Sequence, residues 1–177
     1  DGLSDAVARR RVCNSRYHAP WKGTTREHRI KPFRLLWHRS ALYLFANIDG
    51  QDGITTFAVH RIEGLEPTAD TFKPNHADLK EHARRAFGIF VSDDEEDVEI
   101  IFDKDIAWRI EERIFHPDET KERLEDGRLR YKARTSAQWE IIPWVLSYGG
   151  FAELVQPSTW RQMMVETLDE ARQSYTD

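Results

Sequence analysis

The chain has 177 residues, of which 40% are hydrophobic and 32% charged, enough for one large or two small folded domains. It contains no apolar run of membrane-spanning length and no signal-peptide core at its start, so we expect a cytoplasmic protein without membrane contact. Its single cysteine, Cys13, excludes an intramolecular disulfide.

The net charge of −5 is unevenly distributed along the chain. Residues 1–67 carry 11 lysines and arginines against 7 aspartates and glutamates, a surplus of four positive charges. Residues 68–177 carry the other 15 and 24, a surplus of nine negative charges. Because salt screens charges beyond about 8–10 Å, the basic part can attract nucleic acid although the whole chain is acidic.

The basic part of the chain predicts a short helix near residues 5–9, followed by four apolar runs of strand length. Asp-Gly pairs within residues 49–53 favour a tight hairpin turn, because glycine adopts positive φ without strain. Strands this short cannot bury their faces alone, so consecutive hairpins predict a small curved sheet or β-barrel. The four runs are residues 7–19, 28–37, 41–48 and 54–62.

A helical linker is predicted between this barrel and the rest of the chain. Asn75 has the side chain of a helix N-cap, and residues 76–87 have a helical pattern that Gly88 should end. The acidic residues 93–97 predict a solvated loop and mark the domain boundary. The three predicted segments, the barrel, the linker with its acidic loop and the C-terminal domain, are residues 1–72, 73–97 and 98–177.

The C-terminal domain has the βαββαβ rhythm of a ferredoxin-like fold. Asp105 or Asp103 should cap its first helix, Asp126-Gly127 should form its hairpin turn, and Pro143 lies inside its second helix. Together with the mostly β N-terminal half, this pattern predicts the α+β class. A final helix carries one apolar stripe, which favours a homodimer. The stripe consists of Trp160, Met163, Met164, Leu168 and Ala171.

Three short motifs follow one another within the predicted barrel. They are an arginine and a proline at Arg29 and Pro32, the triplet Leu42-Tyr43-Leu44, and Phe57 followed by His60-Arg61-Ile62. In this order they resemble the WYL domain, a small Sm-like barrel of bacterial regulators.

The resemblance extends into the C-terminal half and has three departures. Residues 98–172, especially LEDGRL and IPWVLSYGGFAELVQP, are similar to the extension that often follows a WYL domain. Leu42 stands where the family has tryptophan, Thr55 or Thr56 where many members have arginine, and His60 where aspartate is usual. The last two departures change the charge pattern of the expected pocket.

The barrel carries basic and aromatic side chains suited to a nucleic-acid-like ligand. Guanidinium groups bind phosphate in a bidentate fork, and tyrosine rings offer a face on which bases stack. The resemblance implies this role above all for the two motif arginines. The alternative is that these charges merely occupy an exposed face and that Tyr43 packs in the core. The predicted ligand-binding residues are Tyr17, His28, Arg29, Lys31, Arg39, Tyr43, His60 and Arg61.

The sequence has none of the enzyme signatures that its polar residues could suggest. His76, His82 and His116 lack cysteine or carboxylate partners at metal-ligand spacing. Ser147 does not stand in the Gly-x-Ser-x-Gly sequence of a nucleophile elbow. We therefore expect no enzymatic activity, no cofactor and no metal.

The resemblance implies the effector-sensing portion of a bacterial WYL-family transcriptional regulator. Its effector would be a short single-stranded DNA or a nucleotide, and operator DNA would be contacted only through an N-terminal helix-turn-helix domain missing from this chain. One alternative is a dimerisation or assembly module without a ligand. Another is an accessory nucleic-acid-binding module of a helicase or nuclease system. Oligonucleotide binding separates the first reading from the pure assembly module.

Overall fold

A computed structural model describes residues 2–92 and 94–176 of the chain, which form two compact units. The barrel unit ends at His82, and the extension unit begins at Ala83. Strands predominate over helices and form two separate antiparallel sheets, which confirms the predicted α+β class.

The barrel unit consists of a short helix and one strongly bent five-stranded sheet. The sheet order is β4-β3-β2-β1-β5, with every neighbouring pair antiparallel. Residues 7 and 8 belong to the helix, so the first strand is shorter than the apolar run predicted. The elements are α1 (Gly2–Ala8), β1 (Arg11–Ala19), β2 (Thr24–His38), β3 (Ala41–Ile48), β4 (Thr55–Ala58) and β5 (Ile62–Thr71).

The long strand β2 bends because its pairing with β3 is interrupted. A register shift between Pro32 and Arg34 lets one strand pair with β1 over its first half and with β3 over its second. The β2–β3 hairpin turns on Arg39 and Ser40, both with positive φ, as the type I′ turn of a two-residue hairpin requires. The curved sheet encloses the buried core of this unit, which is Ala6, Cys13, Tyr17, Ile30, Leu44, Ala46 and Phe57.

The linker helix α2 (His76–Arg85) follows the barrel strands. The Asn75 carboxamide oxygen accepts a hydrogen bond from the N–H of Ala77 at 3.1 Å, which confirms the predicted N-cap. The helix ends at Arg85 and not at Gly88, because the carbonyl of Arg85 accepts hydrogen bonds from Thr135 and Ser136 instead.

The extension unit has the ferredoxin-like topology that the sequence predicts. Its sheet order, β7-β8-β6-β9, places the first and third strands of the unit at the centre. Glu96 and Asp97 belong to β6, so the acidic run is shorter as a loop than predicted, and Asp93 lies outside the described residues. The elements are β6 (Glu96–Phe102), α3 (Ala107–Glu111), β7 (Thr120–Arg123), β8 (Leu129–Thr135), α4 (Gln138–Leu146), β9 (Ala152–Gln156) and α5 (Ser158–Gln173).

Helices α3 and α5 differ in detail from the prediction. The backbone carbonyl of Asp103 accepts the first N–H groups of the α3 region, and its side chain accepts the N–H of Asp105, so Asp105 is not the cap. The apolar stripe of α5 is divided: Trp160 and Met164 are buried in the core, whereas Leu168 is half exposed. The first half of the stripe therefore serves the core of its own unit, and its second half is exposed.

Candidate ligand-binding site

Arg29 and Lys31 lie on β2 and face carboxylates. Lys31 Nζ is 2.8 Å from Asp49, Arg29 Nε is 3.4 Å from Asp49, and Arg29 also forms an ion pair with Asp70. The hydrogen bond and positive charge of Lys31, followed by those of Arg29, lower the pKa of Asp49 below its ordinary value. We call these four residues the Arg29 cluster, and its two positive and two negative charges balance.

The register of the barrel explains why the Arg29 cluster forms. Ile30 pairs with Ile48, and Asp49 N–H donates to the Arg29 carbonyl at 2.8 Å, so the carboxylate comes directly opposite the guanidinium. Ile30 points into the core, and alternation along the strand therefore turns its neighbour Arg29 outward.

Arg61 has a different environment at the end of a 3-10 turn, Val59–Arg61. Its guanidinium lies over the indole ring of Trp21, 5.5 Å from the ring centroid. Trp21 belongs to another 3-10 turn, Pro20–Lys22, and 68% of its surface is exposed. Within residues 2–92 and 94–176, no carboxylate oxygen lies within 4.0 Å of the Arg61 guanidinium. This arginine combines an uncompensated charge with an accessible aromatic surface.

Two further cations belong to the same end of the barrel. Arg26 pairs with Tyr17, and Tyr17 pairs with Ile62, so these residues share one row across three strands, next to Arg61. Lys22 directly follows Trp21 in its turn. In the described part of the chain, neither Lys22 nor Arg26 has a carboxylate within 4.0 Å. We call Trp21, Lys22, Arg26 and Arg61 the Arg61 platform.

Tyr17 and His28 both pack against Phe57, which belongs to the core of the barrel. Tyr17 is 9% exposed, its ring meets Phe57 edge-on at 5.0 Å, and its hydroxyl accepts the N–H of Ala58 at 3.3 Å. The half-buried His28 ring lies 6.0 Å from Phe57. These contacts assign packing to Tyr17, whose ring is not presented to solvent for stacking.

The remaining three predicted residues are dispersed. His60 is exposed beside Arg61, in the same 3-10 turn. The half-buried Tyr43 ring lies 6.3 Å from the ring of His38. Arg39 occupies the exposed β2–β3 turn, at the other end of that hairpin from Asp49. The structure thus gathers Arg61 and His60 in one place and Arg29 and Lys31 in another.

Trp21 is the residue of this site that sequence reasoning missed. The segment Pro20-Trp21-Lys22-Gly23 reads as a loop, because proline and glycine interrupt strands. The signal that could have found it is a tryptophan close to several cations in the sequence, because the face of an indole ring attracts guanidinium and ammonium groups.

Metal-binding clusters and membrane-spanning helices are both absent among the described residues. Among them, no group of three or more histidine, cysteine, aspartate or glutamate side chains could hold a metal ion. None of the helices that the structure describes is both long and apolar enough to cross a membrane.

Two family matches cover most of the chain. Residues 1–67 match the WYL domain, and residues 94–172 match the WCX domain. A comparison with curated proteins finds no matching relative.

Two solved structures that are similar to this chain are longer than it. One is "Proteasome accessory factor B/C (PafBC) of Arthrobacter aurescens", with 21% identity and a TM-score of 0.46, covering 99% of this chain and 27% of that one. Another is described as a CRISPR Cas-related protein, with 14% identity and a TM-score of 0.64, covering 98% of this chain and 50% of that one. The chain spans half or less of these proteins, and the second likeness supports the fold alone.

Proposed function

The chain belongs to the WYL-domain proteins, as a regulatory module in which a WYL domain is followed by a WCX domain, and from this premise we propose that it senses an effector through its barrel. The effector is a short single-stranded nucleic acid or a nucleotide. The observation that carries this proposal is the pairing of Arg61, which lacks a carboxylate partner in the described chain, with the exposed ring of Trp21.

The chemistry of the Arg61 platform matches that of a nucleotide. Trp21 offers an indole face to a base, a contact that tolerates any base sequence. Arg61 offers a planar fork of donors to a phosphate, and Lys22 and Arg26 add positive charge along the same end of the barrel. His60, exposed beside Arg61, is a further contact in this proposal.

The Arg29 cluster has a secondary role in the same proposal. A phosphate reaching Arg29 or Lys31 must compete with Asp49 and Asp70, which already occupy these cations. Arg39 and Tyr43 complete the set of proposed contacts and would meet only a longer strand that continues along the barrel.

We further propose a bacterial cytoplasmic regulator without enzymatic activity. In this proposal the barrel reports effector binding to a helix-turn-helix domain elsewhere in the full protein, which alone reads operator DNA. A homodimer also belongs to the proposal. It would give the regulator the two-fold symmetry that palindromic operators match.

Oligonucleotide binding measured by fluorescence anisotropy tests the proposal. We expect the 177-residue chain to bind a labelled oligonucleotide of about six nucleotides, within the range that one small barrel covers. The logarithm of the binding constant should fall linearly with the logarithm of the salt concentration, because phosphates that bind the protein release counterions. Specific binding of a duplex is not expected from this chain.

Two matched tryptophan variants make the test local. Trp21→Ala should weaken binding by about 1–3 kcal/mol, the usual contribution of base stacking on an aromatic ring. Trp37→Ala removes a tryptophan of similar exposure, 71% against 68%, elsewhere in the barrel unit and should change little. Equal losses in both variants, or no binding at all by the parent chain, would refute the proposed site.

A further inference from the structure

The extension unit contains a cavity of about 380 Å³ that the proposed effector site does not use. Its walls come from the chain before and at the start of β6 and from the first turns of α4 and α5. The cavity joins aromatic and acidic side chains, a combination that is absent from the Arg61 platform.

Two tryptophans form the aromatic part of the cavity. Trp160 is almost fully buried, whereas Trp139 is 72% exposed. The Gln138 side-chain N–H donates to the sulfur of Met163 at 3.1 Å, which ties the starts of α4 and α5 together. The result is a wall of polarisable groups, of which the exposed indole can approach a ligand directly.

The acidic part of the cavity carries charge that no described side chain neutralises. Glu95 is paired with Arg84 at 2.9 Å and with Arg85 at 3.7 Å, and Asp97 is paired with Arg134 at 3.2 Å. Asp94 and Glu96, which line the cavity, have no cation within 4.0 Å in the part of the chain that the structure describes. Along this acidic segment, arginines therefore neutralise Glu95 and Asp97. Asp94 and Glu96 line the cavity and have no neutralising cation among the described residues.

The helix ends at the cavity do not cancel this charge. Helices α4 and α5 both begin there, and a helix N-terminus is equivalent to roughly half a positive charge. Two such ends oppose the two full negative charges of Asp94 and Glu96. The side chains that line the cavity and these two helix ends together carry more negative than positive charge.

We propose that this cavity binds an organic cation, a guanidinium or ammonium group carried on an apolar stem. The negative face of an indole ring attracts such a cation, and a carboxylate within reach adds a charge-assisted hydrogen bond. The exposed ring of Trp139 contacts the stem and the head group, and Glu96 and Asp94 bind the charge of the head group. An anion such as a phosphate is repelled, so this site is chemically opposite to the Arg61 platform and independent of it.

The same head group reaches the cavity either on a free small molecule or on an arginine of a peptide. Nuclear magnetic resonance of the tryptophan indole N–H groups in the intact chain distinguishes these sources. The probes are Nα-acetylated arginine amide, an acetylated and amidated Ala-Arg-Ala tripeptide, and Nα-acetylated citrulline amide. The acetyl group removes the α-ammonium charge, so this citrulline amide is the uncharged isostere of the arginine amide. We expect the Trp139 indole signal to shift with arginine amide, with the tripeptide, or with both, and not with citrulline amide.

Substitutions then locate the site. Trp139→Ala should weaken binding of the cationic probe by about two- to fivefold, as expected for a cation–π contact near the surface. Glu96→Gln should weaken it by about tenfold, because it removes a charged hydrogen-bond partner. The matched controls Trp108→Ala and Glu125→Gln, at an exposed tryptophan and an exposed glutamate elsewhere in the unit, should change nothing.

The outcomes separate clearly. A shift with arginine amide identifies a free cation as sufficient, and a shift with the tripeptide alone identifies a protein-borne arginine. Equal shifts with citrulline amide, an unperturbed Trp139 with both cationic probes, or equal losses in the control variants would each overturn the proposal. Failure here leaves the effector site untouched, because that site is tested with oligonucleotides.

Discussion

The Arg61 platform and the Arg29 cluster contain the same kinds of cation, but only the cations of the Arg29 cluster are neutralised by carboxylates. Arg29 and Lys31 are balanced by two carboxylates, whereas Arg61 rests on an indole ring and keeps its full charge available. An exposed ion pair contributes little to stability but removes most of the attraction that a phosphate would feel. The partner of a motif arginine therefore matters as much as the arginine itself.

The two arginine variants should give the largest contrast between these regions. Arg61→Ala should weaken oligonucleotide binding by about 1.5–3 kcal/mol, the range for a hydrogen bond to a charged group. Arg29→Ala should change it by less than about 0.5 kcal/mol, as for an ordinary surface substitution. Anisotropy titrations at one salt concentration make the comparison, with Arg34→Ala, an exposed arginine on the same strand, as the control. Equal losses in all three variants would indicate diffuse attraction.

Tyr17→Leu should show whether Tyr17 stabilises the barrel core or contacts the ligand. It leaves the buried Ala58 N–H without its acceptor and should lower the free energy of unfolding by about 1–3 kcal/mol. Oligonucleotide affinity, measured well below the melting temperature, should stay within about twofold of the parent, because the ring lies in the core. A large loss of affinity in fully folded protein would instead restore Tyr17 as a stacking residue.

The double substitution Asp49→Asn and Asp70→Asn should leave the cations of the Arg29 cluster without a carboxylate partner, as Arg61 is in the Arg61 platform. Both side chains keep their size and lose the charge that occupies Arg29 and Lys31. We expect a gain in oligonucleotide affinity of up to about 1 kcal/mol, the scale of an exposed ion pair. An unchanged affinity would mean that the ligand never reaches this part of the barrel.

The ionisation of Asp49 should have the smallest effect, which is a change in the free energy of unfolding with pH. Lys31 lowers the pKa of Asp49 below 3.8, so its ionised form stabilises the fold above that pH, and the contribution disappears as pH falls through the lowered pKa. The difference in unfolding free energy between the parent and Asp49→Asn should be constant near neutral pH and shrink below pH 3.8. A difference that changes between pH 8 and about pH 6 would point to another group.

Local patterns predicted the fold well because they act over a few residues. Asp-Gly turns fix hairpins, and Asn75 was correctly predicted as the N-cap of α2. Whether a motif arginine is neutralised depends instead on ion pairs between residues that are far apart in the sequence. Asp49 read as a turn residue, and Asp70 is 41 positions from Arg29, so the neutralisation of this arginine could not be predicted from the motif.

The same limit applies to the Arg61 platform. Arg61 was predicted from its motif, but its indole partner comes from a loop 40 residues earlier, and only the folded barrel brings the two together. The cavity in the extension unit likewise joins an acidic segment to two helices that lie far along the sequence. Sequence reasoning identified the residue types, and tertiary structure decided which of them act together.

The most direct test of the central claim is the indole N–H signal of Trp21 during an oligonucleotide titration of the intact chain, assigned with Trp21→Phe. If the Arg61 platform is the effector site, this signal shifts during the titration, and the shift saturates with the same Kd that anisotropy gives. The signal of the similarly exposed Trp37 does not move. If Trp21 does not respond while the oligonucleotide binds, the effector contacts another surface and the platform is not the site.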